Sequence, residues 1–499
     1  MEAGGRSRGS TVWEVSGYKP LSAVFELLKD NDQVVFLDSS EQGEQGRFSI
    51  VGCKPFLAIE QVGGRCLVNG APTEAAFFDV LDAALRTHQE PNETHLPLIG
   101  GALGYLGYDF GRALNGVSTR HAPFGESDAC GAEDTLGVGE ISAAEASDAS
   151  GPAAPVVPCA PAMPEAQMVF YDVLLIEDHE QQKLYASAQG QTVSADEVRV
   201  WVDSLVASAV SAPAPSRGST LAKFTSHFTE RDYQQALDRM VEYMLDGHIY
   251  VANMTQQLTM DAPQPPYDLY RYLRTFNPAP FSAYLRGPGF DVCCSSMERF
   301  LFVRNGHAVT RPIKGTRPRG KTPVEDARNR EELFNSPKDN SELLMIVDLE
   351  RNDLSLSCRP GTVYTHPEFT VETYPTVFHL VATVGGQLRE DASALDVVRN
   401  AFPGGSITGA PKIRAMEIID ELERSARGLY TGSIGYFSNA GDCDLNVVIR
   451  TLVCRDGVAT LGVGGGITAE SDFDFEYQET LQKAYALREA VGSVGITQD

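Results

Sequence analysis

"QVVFLDSS" (Gln33–Ser40) and "RFSIVGCKP" (Arg47–Pro55) decide how the fold is read. Each is a short run of β-branched and aromatic residues, and a Gly-containing stretch lies between them. Apolar runs of this length, bounded by turn residues, predict strands. "GRCLVNG" (Gly64–Gly70) repeats the pattern. Residues 13 to about 118 therefore read as mainly β, with helices such as "LSAVFELLKD" (Leu21–Asp30) beside the strands.

Outward from there the composition changes. "MEAGGRSRGS" has two arginines with no apolar run behind them, which is not a secretory signal, and residues 1–12 read as a flexible tail. From Gly125 to Gln167 the chain is rich in Ala, Ser, Pro, Gly and acid. Such a segment buries too little apolar surface to offset its ordering entropy, so a disordered acidic insert is expected at about 122–165. "MVFYDVLLIEDHEQQKLYASA" (Met168–Ala188) predicts two strands, and "SAPAPSRGST" (Ser211–Thr220) closes an N-terminal α+β region spanning 13–220. The region 221–499 opens on a helix. Thr229 caps it, Tyr233, Ala236, Leu237, Met240, Val241, Met244 and Leu245 form its apolar stripe, and Gly247 stops it. Strands and helices then mix without βαβ spacing, so the class is α+β and not a doubly wound parallel sheet.

The chain has 499 residues, 42% hydrophobic and 22% charged, with formal net charge -26. No apolar run reaches the roughly 18 residues of a membrane span. Nine cysteines without metal-type spacing predict free thiols in a reducing cytoplasm. The charge argues against nucleic acid, and an anionic substrate would need a local cationic or metal-assisted pocket. "TRPIKGTRPRG" (Thr310–Gly320) concentrates such charge: Arg311, Lys314, Arg317 and Arg319, with Lys321 following. Lys314 is a solvated turn residue or, wedged between Ile313 and Gly315, an amine nucleophile.

Two carboxylate pairs stand at i, i+3: Asp339 and Glu342 in a helix begun at Ser336–Pro337, and Glu476 and Glu479 on a C-terminal helix, with Lys483 four further on. That spacing puts each pair on one helix face. Facing pairs would form a hard oxygen site for magnesium; alternatively, Asp339 completes a cap with Ser336, and Glu479–Lys483 is a surface pair. "FPGGSITGAPK" (Phe402–Lys412) holds Ser406 in a glycine-rich loop ahead of a helix, and "LGVGGGITAE" (Leu461–Glu470) puts Gly464, Gly465 and Gly466 after a strand. Each is a turn or a cradle for an anion. "DLNVVIRTLVC" (Asp444–Cys454) reads as a strand with Arg450 in its apolar middle, held by an ion pair or reaching for an anionic ligand. His379 in "TVFHLVATV" is a core histidine or an acid/base group.

In order along the chain, "SMERF", "TRPIKGTRPRG", "SELLMIVDLERND", "PTVFHL", "FPGGSITGAPK", "LYTGSIGY", "LNVVIRT", "GVGGGI" and "EYQET" resemble the chorismate-utilising enzymes. That family includes anthranilate synthase and aminodeoxychorismate synthase components I and the isochorismate and salicylate synthases. The resemblance is dense from about 225 to 490, and it implies large antiparallel sheets packed as a sandwich with helices outside. It implies magnesium on Glu342 and Glu479, with Asp339 and Glu476 acting through water. Arg450, Tyr430 and the Gly464–Gly466 backbone would clamp the enolpyruvyl carboxylate, and Ser406 would meet the ring carboxylate. His379 would lie beside the ring, Lys483 near the metal, and Glu298 would be general acid/base. Here the glutamate position of the first acid is Asp339, and Met297 stands where proline usually precedes Glu298. "PIKGT", with lysine in place of the alanine of anthranilate synthases, resembles the members that make 4-amino-4-deoxychorismate through a lysine adduct on Lys314. Anthranilate formation, and a non-catalytic regulatory paralogue, are the alternatives. No cysteine sits in a G-x-C-x-G elbow, so a separate glutamine amidotransferase subunit is expected to supply ammonia.

Overall fold

The structure is a computed structural model that describes residues 9–43, 45–121, 163–216, 223–261, 264–366, 369–374, 377–492 and 496–498. The expected acidic insert lies, up to residue 162, outside the described residues, as does the expected tail up to residue 8. The tail expectation fails at its inner end. Thr11–Glu14 is a strand paired antiparallel with Lys183–Ala188, because Val12 and Trp13 each pack against a buried core.

Among the described residues, 22 strands join into one hydrogen-bonded sheet, and three more form a small separate one. All pairings are antiparallel except Phe224–Ser226 with Ile496–Gln498. Phe48–Val62 pairs along its length with Ala166–Asp178. Strands from both chain regions share the large sheet: Val35–Asp38 bonds to Phe281–Gly287, and Gly101–Leu106 to Ser433–Ser438.

Alternation of side chains makes this sheet a sandwich. Val35, Ile50, Leu174 and Ile176 enter a core built mostly of strand residues, together with Ala283, Val292, Ile434 and Val453. Their neighbours Phe36, Val51, Val173 and Leu175 face the other way, into a core closed by helices including Leu21–Phe25, Ala195–Ser208 and Pro266–Phe276. Burial on both faces is why Ala166–Asp178 reads as a nearly continuous apolar run. The helix expected over Leu21–Asp30 is only Leu21–Phe25.

The capped helix forms as expected over Glu230–Leu245, with the Thr229 side chain accepting from the Asp232 N–H. Leu245 is exposed, since it lies about 100° around the helix from the buried Met244. Pro337–Ser355 is a helix capped by Ser336, whose hydroxyl accepts the Asp339 N–H. The C-terminal segment is two helices, Phe473–Lys483 and Tyr485–Val491. No helix among the described residues is long and apolar enough to cross a membrane. The described cysteines are all free and buried.

Two motif segments depart from their sequence reading. Asp444–Cys454 is not one strand: Cys443–Asn446 and Thr451–Arg455 are separated by a break in which Arg450 has φ +50°. Backbone bonds there leave the ladder, from Val447 N–H to the Glu298 carbonyl (2.9 Å) and from Ser295 N–H to the Arg450 carbonyl (3.1 Å). Conversely, Gly464–Gly466 is no turn. It lies inside the strand Val458–Ile467, paired with Asn253–Thr255.

Candidate active site

The glycine strand forms the floor. A Cβ on Gly466 would lie 2.8 Å from Lys314 Nζ and 3.9 Å from Glu342 Oε2. One on Gly465 would lie 3.4 Å from Glu476 Oε2, 3.7 Å from Glu479 Oε1 and 3.9 Å from Lys483 Nζ. The missing side chains thus make room for two amines and three carboxylates over one stretch of backbone.

Lys314 is carried by Ile313–Pro318, the edge strand of the small sheet, which pairs with Val377–Val381 across a bulge between Lys314 and Thr316. Gly315 has φ +73°, and a Cβ there would meet the Asp339 carboxylate at 2.8 Å. The bulge and this glycine turn Lys314 toward the floor, where its Nζ donates to the Ser406 carbonyl (3.3 Å). Ser406 sits in a 3₁₀ turn, Gly405–Ile407, and its hydroxyl donates to Glu298 Oε1 (2.6 Å). Burial raises the Glu298 carboxyl above the usual carboxylate range, against the opposing pull of the Ser406 hydrogen bond and Lys314.

The helices Pro337–Ser355 and Phe473–Lys483 bring the acids in from two sides. Glu342 Oε1 is buried with no hydrogen-bond partner. Burial raises Glu342, with Lys314 and Lys338 opposing and Glu476 and Asp339 reinforcing. Glu479 would be raised by burial as well, but its ion pair with Lys483 (2.6 Å), aided by Lys314 and Lys338, holds it below the usual value. Glu476 accepts from Lys338 (3.2 Å) and Ser471 (2.8 Å). Asp339 is turned to the rim, ion-paired with Arg317 at 3.1 Å. Among the described residues no three acidic, His or Cys side chains already converge as a metal-ion cluster. Lys338 and Lys483 lie among the acids instead, at 3.9 Å from Glu342 Oε1 and 2.6 Å from Glu479 Oε1. The orphaned Glu342 oxygen and the crowding of like charges suit a hard cation bound through carboxylates.

On the other side, His379 is buried, its Nδ1 lies 3.0 Å from the Thr316 hydroxyl, and its Nε2 has no partner. Burial, helped by Arg450 and Lys483, pushes the imidazole down to about 3, so it is neutral at physiological pH. His379, Arg450, Met297 and Tyr374 line one crevice. No carboxylate pairs with Arg450 among the described residues, and burial pushes its guanidinium down to about 10. Of the two roles left open for Arg450, the structural ion pair is absent. Tyr430 packs against the strand floor, where a Cβ on Gly462 would strike its ring. Lys483 donates to the Gly464 carbonyl (2.8 Å).

The sequence reading missed Lys338, which precedes Glu342 at i, i+4 and was legible as a helix pair. It also missed Thr316 and the pairing of Arg317 with Asp339, whose contacts depend on neighbours remote in sequence. Four cations of Thr310–Gly320 separate by role. Arg311, Arg317 and Arg319 have carboxylate partners Glu372, Asp339 and Asp326, and Lys314 alone reaches the floor. A cavity of about 290 Å³ lies elsewhere, among Asp38, Ser39, Phe281, Ser282, Tyr436 and Asn446, and no expected site residue lines it.

Residues 132–489 match the family described as chorismate binding enzyme. The chain is 43% identical to the aminodeoxychorismate synthase of Streptomyces pristinaespiralis over 66% of its own length, and it spans about half (48%) of that relative. It is 31% identical to aminodeoxychorismate synthase component 1 of Bacillus subtilis, over 94% of this chain and 93% of the relative. The crystal structure of anthranilate synthase component I from Streptococcus pneumoniae superposes with TM-score 0.73 at 26% identity, covering 89% of this chain and 93% of that one.

Proposed function

This chain belongs to the chorismate binding enzymes, and from that premise we propose that it is component I of an aminodeoxychorismate synthase. It aminates chorismate at ring carbon four. The observation that carries this reading is Lys314 Nζ standing over Gly466, against the Ser406 carbonyl and beside Glu342.

The amine bonds to ring carbon two while the hydroxyl leaves carbon four and both ring double bonds shift. The proton released by Nζ passes to Glu298, and the departing oxygen takes up a proton to leave as water. Ammonia then adds at carbon four, the double bonds shift back, and Lys314 departs as its amine with a returned proton. Net, the hydroxyl is exchanged for an amino group and the enolpyruvyl group is kept. Glu298, raised by burial, suits a group that both takes and gives a proton. The unpaired Arg450, with Tyr430 and the Gly464–Gly466 backbone, holds the enolpyruvyl carboxylate, and Ser406 meets the ring carboxylate. Neutral His379 offers an uncharged contact beside the ring. Magnesium, held by Glu342 and Glu479 with Asp339 and Glu476 behind them, would neutralise the ring carboxylate and ease loss of the hydroxyl. Ammonia comes from a separate glutamine amidotransferase subunit, a reading supported by the "component 1" in the Bacillus relative's name.

The second reading, anthranilate formation, draws support from the Streptococcus structure. Product analysis with chorismate, ammonium and magnesium separates the two. We expect 4-amino-4-deoxychorismate, convertible to 4-aminobenzoate by a lyase; fluorescent anthranilate would overturn the reading.

A further inference from the structure

We infer that Glu350 is a positioning residue that sets Lys314 and Glu298 together by holding the Gly405 N–H in the turn that carries Ser406. The inference rests on the roles proposed above for those two side chains.

Glu350 lies two turns beyond Glu342 on the helix Pro337–Ser355 and is 3% exposed. Its Oε1 accepts the Gly405 N–H at 3.0 Å. The approach leaves no slack: a Cβ on Gly405 would lie 2.7 Å from Leu349 Cδ2 and 3.0 Å from Glu350 Oε1. The next residue is Ser406, whose carbonyl receives Lys314 Nζ (3.3 Å) and whose hydroxyl donates to Glu298 Oε1 (2.6 Å). Ser406 therefore contacts the amine and the carboxylate at once, and Glu350 holds the Gly404–Gly405 peptide that leads into it. A shift of this 3₁₀ turn would displace both Ser406 contacts together.

The helix anchors this support firmly. Asp353, one turn further along, pairs with Lys412 at 2.5 Å, and Lys412 also donates to the Ala401 carbonyl (2.6 Å). The loop that carries Ser406 is thus tied to the helix on both flanks. A buried carboxyl is costly to keep, and an apolar side chain would fill the same space at less cost. It would, however, leave the buried Gly405 N–H without an acceptor. Burial, reinforced by the Asp353 charge, raises the Glu350 carboxyl. The uncharged amide of glutamine is therefore a close mimic.

The test compares Glu350→Gln and Glu350→Leu with the wild-type chain, using ammonium as nitrogen donor and reading chorismate consumption. Glu350→Leu is expected to lose about 10- to 100-fold in kcat, with chorismate KM within about twofold. It should also show a matching fall in the fraction of enzyme trapped as chorismate adduct. Glu350→Gln, which keeps the acceptor, is expected within about threefold of wild type in kcat. A folded Glu350→Leu turning over at the wild-type rate would overturn the inference, as would a loss confined to KM. So would a Glu350→Gln as impaired as the leucine variant, because the acceptor would then not be what matters. Product identity is scored separately: anthranilate from the wild type overturns the function proposed above, whereas an unaffected Glu350→Leu overturns only the positioning role.

Discussion

Lys314 owes its place to three local features: a β-bulge, a glycine at positive φ beside it, and a glycine floor opposite. A lysine flanked this way keeps its amine over the glycine floor, while the arginines around it are held by Glu372, Asp339 and Asp326. Lys314→Ala should lower aminodeoxychorismate formation on the order of a thousandfold, with residual flux appearing as anthranilate; chromatography of the products checks both parts. Glu298 predicts a pH effect. Its carboxyl is raised by burial, so the base needed for the amine's proton is lost as pH falls through that raised value. The acid limb of kcat should therefore sit above the ordinary carboxylate range. His379 predicts a stability effect of known sign. Its folded pKa, about 3, is below the unfolded value near 6.5, so the unfolded chain binds the extra proton in between. Stability is fully present above about 6.5 and is lost progressively toward 3, by up to roughly 5 kcal/mol for this one group. His379→Asn should flatten the acid side of a stability-against-pH curve; an unchanged curve would contradict this.

Among the elements, the strand Val458–Ile467 carries the argument, because its glycines are sites of close approach within a paired strand. Gly466→Ala would press on Lys314 Nζ, the mobile end of a side chain, and is expected to lower kcat about tenfold with little loss of melting temperature. Gly464→Ala would meet the Met254 backbone carbonyl at 2.5 Å and should destabilise the fold itself. Thermal melts of both variants distinguish these outcomes. The acid-bearing helices make a parallel prediction: Glu342→Gln and Glu479→Gln should each abolish magnesium dependence together with activity. What was legible from sequence at this scale follows from local physics. The Thr229 and Ser336 caps and the helices they begin depend on neighbours within one turn, and they stand where expected. The break at 447–450 and the strand setting of Gly464–Gly466 depend on partners such as Glu298 and Met254, far away in sequence. Periodicity alone could not reveal them. The turn of Asp339 toward Arg317 is of the same kind, a contact made across two elements.

At the scale of the molecule, a sandwich with both chain regions in one sheet places Lys314, Lys483 and Arg450 at the candidate site within a chain of net charge -26. The overall field repels a dianion, so kcat/KM for chorismate should rise as added salt screens it, at ionic strengths up to about 0.15 M. A fall over the same range would show that local cations dominate approach. With ammonium the chain should turn over alone, and with glutamine only after a glutaminase subunit is added. The central claim, a covalent lysine intermediate, is tested most directly by mass spectrometry of protein mixed with chorismate and magnesium without ammonium, then quenched and digested. The account predicts that the peptide carrying Lys314 gains the mass of chorismate less one water, and that Lys314→Ala gains nothing. An unmodified Lys314 in enzyme that still forms aminodeoxychorismate when ammonium is supplied would contradict it.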